Sequence, residues 1–287
     1  MARRKAVAAQ RPAVTPKAVV EKEAKEAGAA DSGLLSRGLM LLGALIKEER
    51  PLTSSELAEM IGLNSSTTHR LLQTLMQLKY ISRDASKRYL PTARALLPMG
   101  LYHPLNALRR LAAEELRNLQ HAFRMTTALQ IFMGHQRVVL EVVLGTGSFS
   151  PYYETEVTTP LHASSSGKLL LYSLAQEERD QLLGPEPYKS HASGTLLTRA
   201  ELDCDLARIG ERGYSVTMDE MLQGLAGVAA PIWLTRDRAI GAIVISGPTR
   251  FFESPMLENI AAAAQRSAEL FSHASPDIRA VARSLGY

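Results

Sequence analysis

Residues 1 to about 30 show no large apolar residues at any regular period and are rich in Ala, Lys, Glu and Pro. Such a stretch cannot bury enough surface to offset the entropy of ordering, so residues 1–31 are expected to be a disordered basic arm. From Leu34 the pattern changes. Leu34, Leu35, Leu39, Leu42, Leu45 and Ile46 recur at helical spacing up to the polar run 47–50 and Pro51, which predicts a first helix. Thr53 and Glu56 stand at capping-box spacing before Leu57, Ala58 and Ile61, and Gly62 suits a left-handed helix end. The second helix is therefore about two turns long. Asn64 is a good cap for a third helix, Ser65 to Lys79, and only Gly62, Leu63 and Asn64 separate the two. Two short helices around a tight turn containing glycine are a helix-turn-helix.

At about 100° per residue, Thr68, Leu71, Leu72, Leu75 and Leu78 share one stripe of the third helix. Ser66, His69, Arg70, Gln73 and Gln77 share the opposite one. Ser and Thr can bond phosphates or bases, Arg can grip guanine and Gln can pair with adenine, so this face suits DNA. A solvated polar face would have the same composition. Ile81-Ser82 and Tyr89-Leu90 flank a polar turn and read as a wing, with Lys87 and Arg88 near its tip, either approaching phosphate or merely solubilising the turn.

Leu96 to Met99 predicts a connecting helix bent or broken at Pro98, within a linker over 92–106. Leu108, Leu111, Ala112, Leu116, Leu119 and Phe123 then line one face of a longer helix. Segments 127–132 and 138–144 read as a hairpin around the turn 134–137, and 227–233 with 240–246 as a second one. Leu161 to Leu174 is expected to include a helix starting near Ser164 to Ser166, and further helices are expected at 199–212 and 256–271. Hairpins interspersed with helices imply an antiparallel sheet packed with helices, so the fold class is α+β.

A chain of 287 residues accommodates two domains. Residues 1–100 carry 16 Lys and Arg against 9 Asp and Glu, whereas residues 101–287 carry 17 against 20. Positive charge thus concentrates where the helix-turn-helix lies, as phosphate binding favours. Arg3, Arg4, Lys5, Arg11 and Lys17 of the arm either touch DNA or are simply solvated. No apolar run is long enough for a membrane span, the N-terminal stretch lacks the apolar core of a secretory signal, and the single Cys204 suits a reducing compartment. A cytoplasmic protein without membrane partners is expected.

The order of these parts resembles the IclR family of bacterial transcriptional regulators over about Leu34 to Phe271. The residues that carry the resemblance are Ser36-Arg37-Gly38-Leu39, Glu56-Leu57-Ala58 and 62–72, then Pro160-Leu161-His162-Ala163-Ser164-Ser165-Ser166-Gly167-Lys168. Gly213-Tyr214, Gly224, Ala229-Ala230-Pro231 and Ile245-Ser246-Gly247-Pro248 complete it. The resemblance implies a winged helix-turn-helix over 32–91, a GAF-like α/β effector-binding and oligomerisation domain over 107–273, and a tail over 274–287. It implies operator DNA, a small-molecule carboxylate, a second copy in a dimer or tetramer, and RNA polymerase as partners, with no cofactor.

By position, it carries DNA contacts to Ser65, Ser66, Thr67, His69, Arg70 and Gln73, with Arg37, Thr53, Ser54, Lys87 and Arg88 as phosphate contacts. It borders the effector pocket with Pro151, Thr159, Ser165, Ser166, Thr217, Leu225, Gly227, Val244 and Ser246. Ser165 and Ser166 at a helix start could bind a carboxylate without a positive side chain. Members that sense small oxoacids have an acidic residue, a cysteine and a second serine where Thr217, Gly227 and Val244 stand. Polar groups lost and space gained predict a larger, partly apolar effector such as an aromatic carboxylic acid.

Two other functions compete. Ser165 and Lys168 fit a Ser-x-x-Lys nucleophile pair, but the accompanying Ser-Asp-Asn and Lys-Thr-Gly signatures are absent, so no enzyme activity is expected and Lys168 reads as a helix residue at the pocket rim. His162 has no partner at metal-ligand spacing and reads as a packing or hydrogen-bonding histidine. An architectural DNA binder without ligand is the other alternative.

Overall fold

Leu41, Leu45, Leu57, Leu71, Leu72 and Leu75 meet Leu52, Ile81 and Tyr89 in one buried cluster, around which the N-terminal unit is built. The computed structural model describes residues 33–48, 50–96, 103–146, 157, 159–235, 238–272 and 276–284. The chain divides into two compact units, Met1–Gly100 and Leu101–Tyr287. The expected basic arm, the bend at Pro98, Pro151 and the turn residues Arg236 and Asp237 lie outside the described residues.

The first unit contains α1 (Leu34–Lys47), α2 (Ser54–Met60), α3 (Ser65–Gln77), the antiparallel pair β1 (Ile81–Arg83) and β2 (Tyr89–Pro91), and a short α4 (Ala93–Leu96). The capping box at Thr53 is formed in full: Thr53 accepts from the Glu56 amide at 3.2 Å, and Glu56 accepts from the Thr53 amide at 2.7 Å. These bonds, together with Arg50, hold the Glu56 carboxyl down at about 2. Asn64 caps α3 by accepting from the Thr67 amide at 2.8 Å. Between the caps, Gly62 has φ of 66°, in the left-handed region that only glycine enters without strain. Leu52 and Tyr89 exchange backbone bonds of 2.9 and 2.7 Å, which fasten the wing to the loop before α2.

Burial in this unit departs from the simplest reading of its apolar residues at two places. In α1 the buried residues are Gly38, Leu41 and Leu45, whereas Leu35, Leu39 and Ile46 are 77%, 59% and 37% exposed. The helix is apolar on both sides, so its period cannot say which stripe faces the core. Gly38 decides it, because the position of an added Cβ lies 3.5 Å from the Leu71 side chain. Leu78, expected on the buried stripe of α3, is 50% exposed, because the helix ends at Gln77.

The second unit is a five-stranded sheet, wholly antiparallel, with helices on both faces. Its elements are α5 (Pro104–Phe123), β3 (Thr126–Met133), β4 (Gln136–Val143), a 3-10 turn at Leu161–Ala163, α6 (Ser165–Tyr172) and α7 (Gln176–Leu183). Then follow α8 (Arg199–Arg212), β5 (Ser215–Met218), β6 (Leu225–Trp233), β7 (Ala239–Pro248), α9 (Met256–Leu270) and α10 (Pro276–Ser284). The strand order is β4-β3-β7-β6-β5. On one face Leu129, Ile131, Val228, Ile243 and Ile245 pack against α5, α9 and α10. On the other, Ala128, Phe132, Ala229, Ala242 and Val244 pack against Leu169–Leu171 of α6 and Leu202, Leu206 and Ile209 of α8.

The α+β expectation and both hairpins hold, while β5, α7 and α10 are additions. The segment expected as a tail contains α10, whose Ile278, Val281 and Ala282 are buried in the core. Among the described residues no helix is long and apolar enough to cross a membrane.

Because its hydroxyl completes the cap of α2, Thr53→Ala should lower the stability of the first unit by about 1 kcal/mol in urea denaturation, with Thr53→Ser recovering most of the loss.

Candidate DNA-reading helix and effector site

The tight turn between α2 and α3 leaves α3 with one buried and one open side. Thr68, Leu71, Leu72 and Leu75 are buried, and the Thr68 hydroxyl donates to the Asn64 carbonyl at 3.0 Å. Ser65, Ser66, His69 and Arg70 are exposed, while Thr67 and Gln73 are half-buried. The Ser66 hydroxyl donates to the Asn64 side chain at 2.9 Å, so it presents its lone pairs outward as an acceptor. The wing tip is closed by Asp84, which accepts from the Arg88 amide at 2.9 Å, and Lys87 has φ of 61°. Lys87 and Arg88 are exposed there, and Arg83 lies over the Tyr89 ring at 5.2 Å. Arg37 is half-buried on α1, and Thr53 and Ser54 are half-buried at the start of α2, where the Thr53 hydroxyl donates to Glu56 at 2.8 Å.

In the second unit, α6 is closely packed at two glycines, one against its own 3-10 turn and one on the sheet. A Cβ on Gly167 would stand 2.4 Å from the Leu161 carbonyl oxygen, so only glycine lets the helix follow its 3-10 turn so closely. A Cβ on Gly227 would stand 3.2 Å from Ser165 Oγ and 3.6 Å from Thr217 Oγ1, so these three residues converge. Strand pairing sets Thr217, Gly227, Ser246 and Thr126 side by side across four strands, and Ala229, Val244 and Ala128 in the next row. Leu225 is half-buried two residues before Gly227. Ser165 is buried, and no described residue hydrogen-bonds its hydroxyl. Ser164, the N-cap of α6, makes no side-chain cap because its hydroxyl donates to the Pro160 carbonyl at 2.7 Å. The first-turn amides of α6 are therefore uncapped by the chain's own side chains.

Arg137 is a residue that sequence reasoning left in a turn. It is the second residue of β4, paired with Phe132 and only 2% exposed. Its guanidinium donates to Ser164 Oγ at 2.8 Å, to Ser166 Oγ at 3.1 Å and to the carbonyls of Val157 and Thr159. The expectation of a site without a positive side chain is thus corrected. The pairing of Arg137 with Phe132, which spacing alone did not show, puts this long cation on the inward side of β4.

Lys168 is likewise not at a rim. It is 1% exposed and donates to Asp205 at 2.8 Å and to Glu220 at 2.7 Å, with Arg212 3.6 Å from Asp205. Burial pushes the Glu220 carboxyl up while Lys168 pulls it back. The ammonium is engaged by carboxylates from α8 and the β5–β6 loop, not by Ser165. His162 Nε2 lies 3.1 Å from the Lys189 carbonyl, with the Tyr188 and His191 rings beside it, and burial lowers the pKa of both imidazoles. Among the described residues no group of three His, Cys, Asp or Glu is arranged to hold a metal ion, and Cys204 is exposed on α8.

Against known proteins, residues 103–273 match the family described as bacterial transcriptional regulator IclR C-terminal, and residues 34–85 match the IclR helix-turn-helix domain. The transcriptional repressor IclR of Escherichia coli K12 is 30% identical over 211 residues, which span 72% of this chain and 77% of the repressor. The regulator XynR of the same strain is 28% identical over 248 residues, 86% of this chain and 94% of that protein. Among solved structures, an IclR homolog from Microbacterium hydrocarbonoxydans, complexed with 4-hydroxybenzoate, superposes with a TM-score of 0.74 at 24% identity, covering 85% of this chain and all of that one, 100%. The Thermotoga maritima IclR superposes at 0.65 with 23% identity, covering 88% and 98%. These two structures share the fold.

Lys168→Met would strand two buried carboxylates, so it should destabilise the second unit by about 3–5 kcal/mol in chemical denaturation. Adding Asp205→Asn and Glu220→Gln to that variant should recover a large part of the loss.

Proposed function

The chain belongs to the IclR family of bacterial transcriptional regulators, and on that footing we propose that it is a ligand-responsive regulator whose α3 reads a roughly palindromic operator and whose second unit senses a small organic acid with an apolar body. The observation that carries the sensing half is the first turn of α6, with uncapped amides, the hydroxyl of the largely buried Ser165 bonded to no described residue and the Arg137 guanidinium behind Ser166. Such a helix start binds anions. The acid's carboxylate docks there, and its body lies on the small residues Gly227, Val244 and Ala128, within the border formed by Thr159, Thr217, Leu225 and Ser246. The 4-hydroxybenzoate of the Microbacterium homolog is an acid of this kind.

The DNA half rests on the exposed Ser66, His69 and Arg70 of α3, with Thr67 and Gln73 beside them, in the major groove. Ser65, Ser54, Thr53, Arg37, Lys87 and Arg88 supply phosphate contacts. Dimerisation has support in α1, where Leu35, Leu39 and Ile46 form an exposed apolar stripe that a second copy of the chain would cover. Two copies then read two half-sites.

Arg70→Ala should cost about 1–3 kcal/mol on the specific operator and much less on random DNA. Lys87→Ala should weaken both alike and reduce the salt slope by about 1. Equal losses for Arg70→Ala on the two DNAs, measured by fluorescence anisotropy across a salt series, would remove its reading role.

In thermal-shift screening of the full chain, aromatic carboxylic acids should raise the melting temperature and their amides should not. Stabilisation by glyoxylate or pyruvate alone would refute the apolar body. Silence across a broad panel of acids would favour an architectural DNA binder.

A further inference from the structure

Gln130 occupies a place where the fold has no structural need of it. Residues alternate along β3: Leu129 and Ile131 pack toward α5 and α9, and Ala128 and Phe132 toward α6 and α8. Gln130 therefore shares the face of Gly227, Val244 and Ser246. It is 1% exposed, and its Oε1 is buried with no hydrogen-bond partner. Its neighbours on that face, Ala242 across β7, Val139 across β4 and Ala128 one row away, offer no polar side-chain group. A buried acceptor left unbonded is destabilising where a leucine of similar size is not, so such a group in a native fold calls for a partner.

The register shows where that partner comes from. One row from Gln130 toward one end of the sheet is Val244, and the row beyond it holds Ser246 and Gly227, the latter under Ser165. One row toward the other end is Arg137, whose guanidinium reaches back to Ser164 and Ser166. Both flanks of Gln130 thus lead to the first turn of α6, from Gly227 on one side and from Arg137 on the other.

We propose that Gln130 sets the specificity of the effector site, its carboxamide oxygen accepting a hydrogen bond from a hydroxyl or amino group that the effector carries apart from its carboxylate. The proposal rests on the effector reading above and narrows it from organic acids to hydroxylated or amino-substituted ones. A site built to bond a donor discriminates strongly against the analogue that lacks it, because the buried acceptor then stays unbonded.

The test uses the full chain and pairs of acids that differ by one donor group: benzoate with its meta- and para-hydroxy and para-amino derivatives, and hexanoate with its terminally hydroxylated form, titrated by calorimetry. Wild type should bind the better hydroxylated or amino member at least about tenfold more tightly than its parent. Gln130→Leu should bind both members alike, near the wild-type affinity for the parent acid, and should melt no lower than wild type without ligand. Gln130→Met provides a second apolar variant should leucine perturb the sheet. Equal binding of both members of every pair by wild type, or an undiminished preference in folded Gln130→Leu or Gln130→Met, overturns the role of Gln130 while leaving acid sensing intact. Failure of wild type to bind any acid overturns the effector reading and this one with it.

Discussion

One ammonium group, that of Lys168, holds the second unit's functional layer together. It joins α6 to Asp205 on α8 and to Glu220 in the β5–β6 loop, with almost no exposure to solvent. Three charged groups out of water are costly singly, and they are tolerable only as a hydrogen-bonded set. The set has no partial form: a shift of α6 by an ångström would leave carboxylates without their cation. An eight-residue helix, too short to be stable alone, is thereby fixed in one pose. The positions of Ser165 and Ser166 follow from it. Gly167 admits that pose by letting the helix start touch the Leu161 backbone, and Asp219 supports the loop on the other side by accepting from the Gly224 amide at 2.6 Å and the Thr249 hydroxyl at 2.7 Å.

The first unit is fixed by a different economy, in which local bonds replace buried charge. Thr53 and Asn64 cap successive helices, and Gly62 turns the chain between them. With so few residues in the turn, the burial of Leu57 and Leu71 leaves little freedom in the crossing of α2 and α3. The exposed face of α3 is consequently dictated by its buried one. The wing inherits its place from the Leu52–Tyr89 backbone pair, which ties it to the same loop. The excess of Lys and Arg in residues 1–100 adds long-range attraction to phosphate without affecting any of these contacts.

These two regimes explain how much could be read from the sequence. Caps, turns and the buried stripe of α3 up to Leu75 are local, and the helix-turn-helix, both hairpins and most of the α5 face were legible from spacing alone; Leu111, expected on that face, is 53% exposed. The core-facing side of α1 was not legible because both sides of that helix are apolar, and the packing of Gly38, Leu41 and Leu45 chooses between them. Nor could spacing pair Lys168 with Asp205 and Glu220, which lie 37 and 52 residues away. Arg137 looked like part of a turn because the hairpin is tight at Gly134 and His135, so β4 begins two residues earlier than its composition suggests. The short β5 lacks a strong period of its own and owes its place to Val228 and Ala229 on β6, whereas Ile278, Val281 and Ala282 of α10 stand at helical spacing in a segment that reasoning from sequence left as a tail, and that helix packs on α5. For the effector site, the resemblance supplied the border, whereas the cation and the inward amide of Gln130 needed the fold.

The sheet face beneath α6 also has a chemical order that no single position reveals. Thr217, Gly227, Ser246 and Thr126 run across it as a row of small residues bearing hydroxyls or no side chain. The next row, Ala229, Val244 and Ala128, is small and apolar, and the row after that holds Ala242 and Gln130. Polar, apolar and polar rows thus succeed one another along the strands, at a spacing of about 7 Å per two residues. Under the proposed sensing role, a molecule matched to that order would have a polar end, an apolar middle and a second polar group, which oxoacids of two or three carbons are too short to offer.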